Sequence, residues 1–225
     1  MDGRQSEEDQ RVRVGLVEDH SMVRQALAFV LERDAGFEVA AQAGSVAEAR
    51  EISSEVDVAI VDLGLPDGDG TEVIKELRAK NPKIITLVLS ATSDRTQLAR
   101  AVEAGAAGLL HKSTPLEGVA QAVRRLLAGE ALIAMDEVIE FLRLAGRERE
   151  KEYRERLGVQ QLTPREKEIL QALAEGLNDR QIAQRLHISF ETERNHMTNI
   201  FAKLGVESRL QAILFAVRRG IVDIH

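Results

Sequence analysis

From Val12 to about Gly129 the chain repeats one unit: a short run of β-branched and apolar residues, then a longer stretch whose apolar positions recur at helical spacing. The runs are Val12 to Val17, Phe37 to Ala41, Val56 to Val61, Ile84 to Leu89 and Gly108 to Leu110. Between the first two, Val23, Ala26, Leu27, Val30 and Leu31 follow the spacing of one helix face after an N-cap candidate, Ser21. Further helices are predicted near 45–54, 71–80, 94–104 and 115–128. A helix between consecutive strands makes their pairing parallel. Five such units in about 120 residues predict an α/β, doubly wound, flavodoxin-like domain, and sheets of that kind bind ligands at the carboxyl ends of their strands.

Chemistry gathers at those ends. Glu18 and Asp19 follow the first strand, Asp62 the third, Ser90 the fourth and Lys112 the fifth. Parallel pairing brings three carboxylates together, and their repulsion calls for a hard divalent cation, Mg²⁺. A carboxylate in such a place can attack a phosphoryl group, with the cation and a lysine offsetting charge on the transferring oxygens. His20 adjoins Asp19, but with no second histidine near it the residue reads as the start of the first helix rather than a metal ligand. The chain has no cysteine, which excludes disulfides, thiolate metal sites and a cysteine nucleophile.

Beyond Gly129 the pattern changes. Residues 130–157 carry a narrow stripe, Val138, Phe141 and Leu142, and then the mixed-charge run Arg147 to Arg156, which together read as a helical linker. From Leu162 onward the strand pattern gives way to four helical segments. Thr163, Pro164 and Glu166 form a capping-box start, with Ile169, Leu170 and Leu173 behind it. Ile182, Ala183 and Leu186 mark a second helix, Met197, Ile200, Phe201 and Leu204 a third, and Leu210, Ile213, Leu214 and Val217 the inward face of a fourth. The short turn His187 to Ser189 makes the second and third a helix-turn-helix candidate. The net charge of −7 is unevenly placed: residues 158–225 hold 9 basic and 8 acidic side chains, leaving 21 of the 30 basic and 29 of the 37 acidic ones upstream. Any surface that neutralises nucleic-acid phosphates is therefore local.

The segments VGLVEDH (14–20), VDLGLPDGDG (61–70), LVLSA (87–91) and HKSTP (111–115) resemble the receiver domains of two-component response regulators, in the same order and at the same spacings. The resemblance spans nearly all of 12–129. It implies that Asp62 is the phosphoacceptor for a histidine kinase and that Glu18, Asp19, Asp62 and the carbonyl of Gly64 hold Mg²⁺. Ser90 and Lys112 are expected to bind phosphoryl oxygens. Leu109 departs from the pattern, standing where many receivers carry a Tyr or Phe that reports phosphorylation. The segment from Leu162 to Val222 resembles the LuxR-type effector of the NarL/FixJ family, in LTPREKEIL, GLNDRQIAQRLHIS, ETERNHMTNIFAKLGV and RRGIV. That likeness implies an all-α, four-helix domain in which Arg194, Asn195 and Thr198 read bases. The helical wheel adds Asn199 to the same exposed face.

The expected organisation is a receiver domain over 10–129, a linker over 130–157 and a DNA-binding domain over 158–225. The expected activity is that of a phosphorylation-controlled transcription regulator. It binds double-stranded DNA as a homodimer joined through Leu210, Ile213 and Ala216, and its only catalysis is phosphotransfer to Asp62 and hydrolysis there. With no apolar run approaching the roughly 20 residues of a membrane span and a polar, acidic Met1 to Arg11, a cytoplasmic location is expected. Glu193 is the anomaly: the wheel places it on the packed side, where the family has Val, so a partner such as Arg185 or Arg180, or the receiver, is expected. The same residue and the near-neutral domain motivate an alternative, a protein-interaction module with weakened DNA reading. A phosphoryl-transfer enzyme acting on other substrates is a further alternative.

Overall fold

The computed structural model describes residues 11–223; the terminal segments 1–10 and 224–225, including the acidic N-terminus and the outermost residues of both expected domains, lie outside it. The chain divides into two compact units, one ending at Arg147 and one beginning at Glu148.

In the first unit, β1 (Val12–Val17), β2 (Phe37–Ala43), β3 (Val58–Val61), β6 (Ile85–Ser90) and β7 (Gly108–His111) form a parallel sheet in the order β2-β1-β3-β6-β7. This is the flavodoxin-like order, with the chain reversing direction across the sheet between β1 and β3. The helices α1 (Ser21–Glu32), α2 (Val46–Ala49), α3 (Gly70–Lys80), α4 (Arg95–Ala104) and α5 (Leu116–Leu127) connect the strands. β3 is buried at every position, as a central parallel strand covered on both faces must be. One face packs Val17, Val61, Ile74 and Val88, the other Leu16, Leu27, Ile60 and Val123.

Two local expectations are corrected. His20, not Ser21, is the N-cap of α1, and it makes no side-chain cap bond. The second helix is a single turn, 46–49, rather than 45–54. The residues after it, Ile52, Ser53 and Ser54, combine β-branching with hydroxyls that compete for backbone bonds. The loop after β3 also holds a small antiparallel ribbon, β4 (Gly64–Leu65) with β5 (Gly68–Asp69). Gly70 begins α3 directly against this loop. A Cβ there would lie 2.0 Å from the carbonyl oxygen of Asp62, so only glycine permits the approach.

The long helix α6 (Met135–Gln160) begins in the first unit. Its stripe is not the expected one: Phe141 and Ala145 are buried, with Val138 and Leu144 beside them, whereas Leu142 is exposed. Phe141 packs with Ala99 and Val102 of α4 and with Ile133, and Leu109 of β7 joins the same cluster. Arg95 lies 5.4 Å from the centre of the Phe141 ring and 2.9 Å from Glu140. Phe141→Ala is expected to cost about 3–5 kcal/mol of local stability. Hydrogen exchange in residues 135–147 should rise by orders of magnitude while α3 and α5 stay protected; an unchanged pattern would mean the ring carries little of this docking.

The second unit contains the end of α6 with α7 (Pro164–Ala174), α8 (Asp179–Arg185), α9 (Phe190–Leu204) and α10 (Arg209–Arg218). Thr163 caps α7 in a full capping box with Glu166, and Gly205 stops α9 in the left-handed conformation. The core joins Leu162, Ile169, Leu170, Leu173, Ile182, Met197, Ile200 and Leu204. α10 reverses the expected face. Ala212 and Ala216 are buried at 0%, Ile213 is half-buried, and Leu210, Leu214 and Val217 are 65%, 52% and 37% exposed. Ala216 is therefore a core residue and is unavailable to a partner subunit.

Candidate functional site

Backbone pairing alone assembles the first site. The Asp62 amide donates to the Val17 carbonyl at 2.8 Å, and Val61 pairs with Val88, setting Asp62 between the ends of β1 and β6. The Lys112 amide donates to the Ser90 carbonyl at 3.0 Å. The Glu18 amide donates to Ala43, and Arg24 donates to the Glu18 carbonyl, which fixes the turn out of β1. Glu18, Asp62 and Ser90 are 2%, 4% and 4% exposed.

Lys112 organises the pocket. Its ammonium donates at 2.7 Å to Asp62 Oδ2 and at 2.8 Å to Glu18 Oε1, bridging two buried carboxylates. Burial pushes the Lys112 ammonium down, but hydrogen bonds to Asp62 and Glu18 outweigh it and leave the group above its ordinary value. Burial likewise pushes Asp19 up, and the His20 ring beside it reverses the sign. His20 Nδ1 sits 2.6 Å from Asp19 Oδ1 and 3.1 Å from Glu18 Oε1, so His20 is raised, chiefly by Asp19.

The donor set suits a hard cation. The ligand atoms of Glu18, Asp19 and His20 lie within 4.8 Å of one another, and buried Asp19 Oδ1 faces the His20 ring, with Glu18 and Asp19 supplying the carboxylate oxygens that such a cation takes. Asp62 Oδ2 would be 3.8 Å from a Cβ built on Gly64, so the backbone of Gly64 borders the same pocket. Ser90 Oγ accepts a long bond, 3.4 Å, from the Thr92 amide. Leu109 packs both against the sheet face of Val61 and Val88 and into the cluster around Phe141.

Asp67 was missed in the sequence because a DGDG run reads as a plain turn. It accepts from the amides of Val46 and Ala47 at 2.7 and 3.0 Å and so ties the ribbon tip to α2. Those backbone bonds hold its carboxyl below the ordinary range. Asp69 caps α3 through the Thr71 amide.

In the second unit, Arg194, Asn195, Thr198 and Asn199 are all exposed on α9, with Arg194 on the flank of the buried stripe of Met197, Ile200 and Leu204. Thr198 Oγ1 donates to the Arg194 carbonyl at 3.0 Å. α8 reaches α9 through a turn in which His187 is, among the described residues, the one non-glycine with positive φ, 54°. Two buried carboxylates support this helix differently. Glu166, 2% exposed, accepts from Lys203 Nζ at 2.7 Å on both oxygens and from Thr163 at its amide and hydroxyl. Burial pushes Glu166 up, and Lys203 with Thr163 brings it below its ordinary value. Gly158 makes room for this corner: a Cβ there would meet the Lys203 carbonyl at 2.1 Å. Glu193 is 0% exposed and neither carboxylate oxygen has a hydrogen-bond partner. The expected pairing with Arg185 is overturned, since Arg185 bonds Glu175 instead, and Arg180 makes no hydrogen bond to Glu193 either.

The comparisons agree with both halves. Residues 14–124 match the response regulator receiver domain, and residues 160–216 match the luxR family of bacterial regulatory proteins. The DNA-binding transcriptional activator DevR/DosR of Mycobacterium tuberculosis is 37% identical over 211 residues, covering 91% of this chain and 94% of that protein. The response regulator protein VraR of Staphylococcus aureus is 31% identical over 214 residues, 94% and 99% of the two chains. A solved two-component response regulator of the LuxR family from Aurantimonas sp. aligns with a TM-score of 0.51 at 29% identity, covering 62% of this chain and 98% of its own. The chain belongs to the NarL/FixJ family of two-component response regulators, joining a receiver domain to a LuxR-type DNA-binding domain.

Proposed function

We propose that a sensor histidine kinase phosphorylates Asp62 and that the phosphorylated chain regulates transcription as a DNA-bound homodimer in the cytoplasm. The observation that carries this reading is the Lys112 bridge between Asp62 and Glu18 at the mouth of the sheet. In the transfer, an Asp62 carboxylate oxygen forms the new bond to phosphorus while the phosphorus–nitrogen bond of the kinase phosphohistidine breaks, and the imidazole leaves. Lys112 turns from the carboxylate toward the incoming oxygens, and the Ser90 hydroxyl donates to another. Glu18, Asp19, Asp62 and the Gly64 carbonyl would hold Mg²⁺, which when bound offsets charge on the phosphoryl oxygens. No described helix is long and apolar enough to cross a membrane.

On the effector side, Arg194, Asn195, Thr198 and Asn199 supply donors and acceptors for the major groove, with Arg194 suited to a guanine edge or a phosphate. Burial of Glu193 keeps its carboxyl off this face, which weakens the case for a domain that no longer reads DNA. The exposed stripe of Leu210 and Val217, with Leu214 between them and Ile213 at its margin, fits contact with a second copy.

The test is selection of duplexes from a random DNA pool by the full chain, with and without a phosphate mimic at Asp62. A two-fold symmetric motif enriched with the mimic is the expected result; equal enrichment in both states would separate DNA binding from phosphorylation. On the selected duplex, Asn195→Ala should lose about 1–3 kcal/mol of discrimination at one base pair. A uniform loss across all sequences would instead make Asn195 a phosphate contact.

A further inference from the structure

Glu193 is a charged residue type buried inside the DNA-binding unit, with no hydrogen-bond donor on either oxygen. Three charged groups face it from the helices around it: Asp179 at the start of α8, Arg209 at the start of α10, and Arg194 on α9 itself. Of the two arginines, Arg209 is already engaged: it bonds Asp179 and the carbonyl of Leu177 and so ties α10 to α8. Arg194 is exposed on the DNA-reading face. An ionised Glu193 could gain a partner only by drawing Arg209 away from that tie or Arg194 away from DNA. A neutral carboxyl needs neither.

We propose that Glu193 is a positioning residue for DNA reading: a proton on its buried carboxyl lets α9 seat against α8 and α10, and losing that proton unseats the helix. The inference rests on the assignment of α9 as the reading helix. Burial, with Asp179 adding to it, pushes the Glu193 carboxyl up from 4.5 to about 7. The packed domain thus retains a proton that the unfolded chain has shed. Stability from this group is complete below pH 4.5, falls as pH rises from 4.5 to 7, and stays low above that. Near neutrality the fraction of domains with α9 seated therefore changes with pH.

The experiment uses the full chain with the phosphate mimic, as wild type, Glu193→Gln and Glu193→Val. Carbon-detected NMR follows the Glu193 carboxyl, identified by the resonance missing from the Gln protein. Retention on a pooled random-sequence 40-bp duplex library is measured at pH 6 and pH 8. His187 and His196 are present in all three proteins, so their effects cancel in the comparison. The expected midpoint lies near pH 7. If only the protonated domain reads DNA, wild-type affinity falls roughly tenfold more than that of either variant between the two pH values. A midpoint in the ordinary carboxyl range of about 4 to 5 overturns the proposal. So does a midpoint near 7 with parallel binding curves, which would make the proton purely structural. Failure of all three proteins to retain DNA at both pH values overturns the assignment of α9 as the reading helix, and this proposal with it.

Discussion

Asp62→Asn should reduce phosphoryl incorporation from a small acyl-phosphate donor by more than about a thousandfold, because the amide offers no nucleophilic oxygen. The fold should survive. Lys112 keeps its second partner, Glu18 at 2.8 Å, and the exchange removes one of two carboxylates that share a single ammonium. The expected melting temperature is therefore unchanged or slightly higher, which separates loss of chemistry from loss of structure. Labelled phosphate retained by the Asn protein would sink the assignment of Asp62, and mapping the label would then name the true acceptor.

The second large effect lies in the other unit. Lys203→Met should destabilise the DNA-binding domain by about 3–5 kcal/mol, since it strands a buried carboxylate that had a cation on both oxygens. The loss should be partly recovered in Lys203→Met/Glu166→Gln, where no charge is left to bury. Glu166 is held below its ordinary value of 4.5, so its contribution is complete above that pH and declines as pH falls through the folded value. Urea melts of wild type between pH 7 and pH 3 should show this decline, and the double variant should lack that component. Equal stabilities of wild type and Lys203→Met at pH 7 would show that Thr163 alone satisfies Glu166.

These two sites were unequally legible. The pocket of Glu18, Asp62, Ser90 and Lys112 could be read because each of them stands within two residues of the end of an apolar run, and parallel pairing leaves little choice about which strand ends meet. The exposed face of α9 was legible for a similar reason: Met197, Ile200 and Leu204 are large and their stripe fixes the opposite side. α10 was misread because its core contacts are alanines. A wheel weighted by large apolar side chains follows Leu210, Leu214 and Val217 and points them inward, whereas the fully buried positions of α10 are Ala212 and Ala216. The same weighting placed Leu142 in the stripe of α6 and passed over Ala145. Glu193 shows another limit. Periodicity located it beneath the helix, but whether a cation reaches it depends on which rival carboxylate holds each arginine, and Asp179 and Glu175 hold Arg209 and Arg185. Asp67 and the β4–β5 ribbon span too few residues to leave any periodic signal.

The alanine face of α10 also bears on how such a regulator can diversify. Its outward residues, Leu210, Leu214 and Val217, make little contribution to the interior, and its inward residues present almost nothing to a neighbour. Substitutions on the two sides should act nearly additively. Exchanges at the outward positions can then change what meets this surface while the fold that holds α9 is left intact.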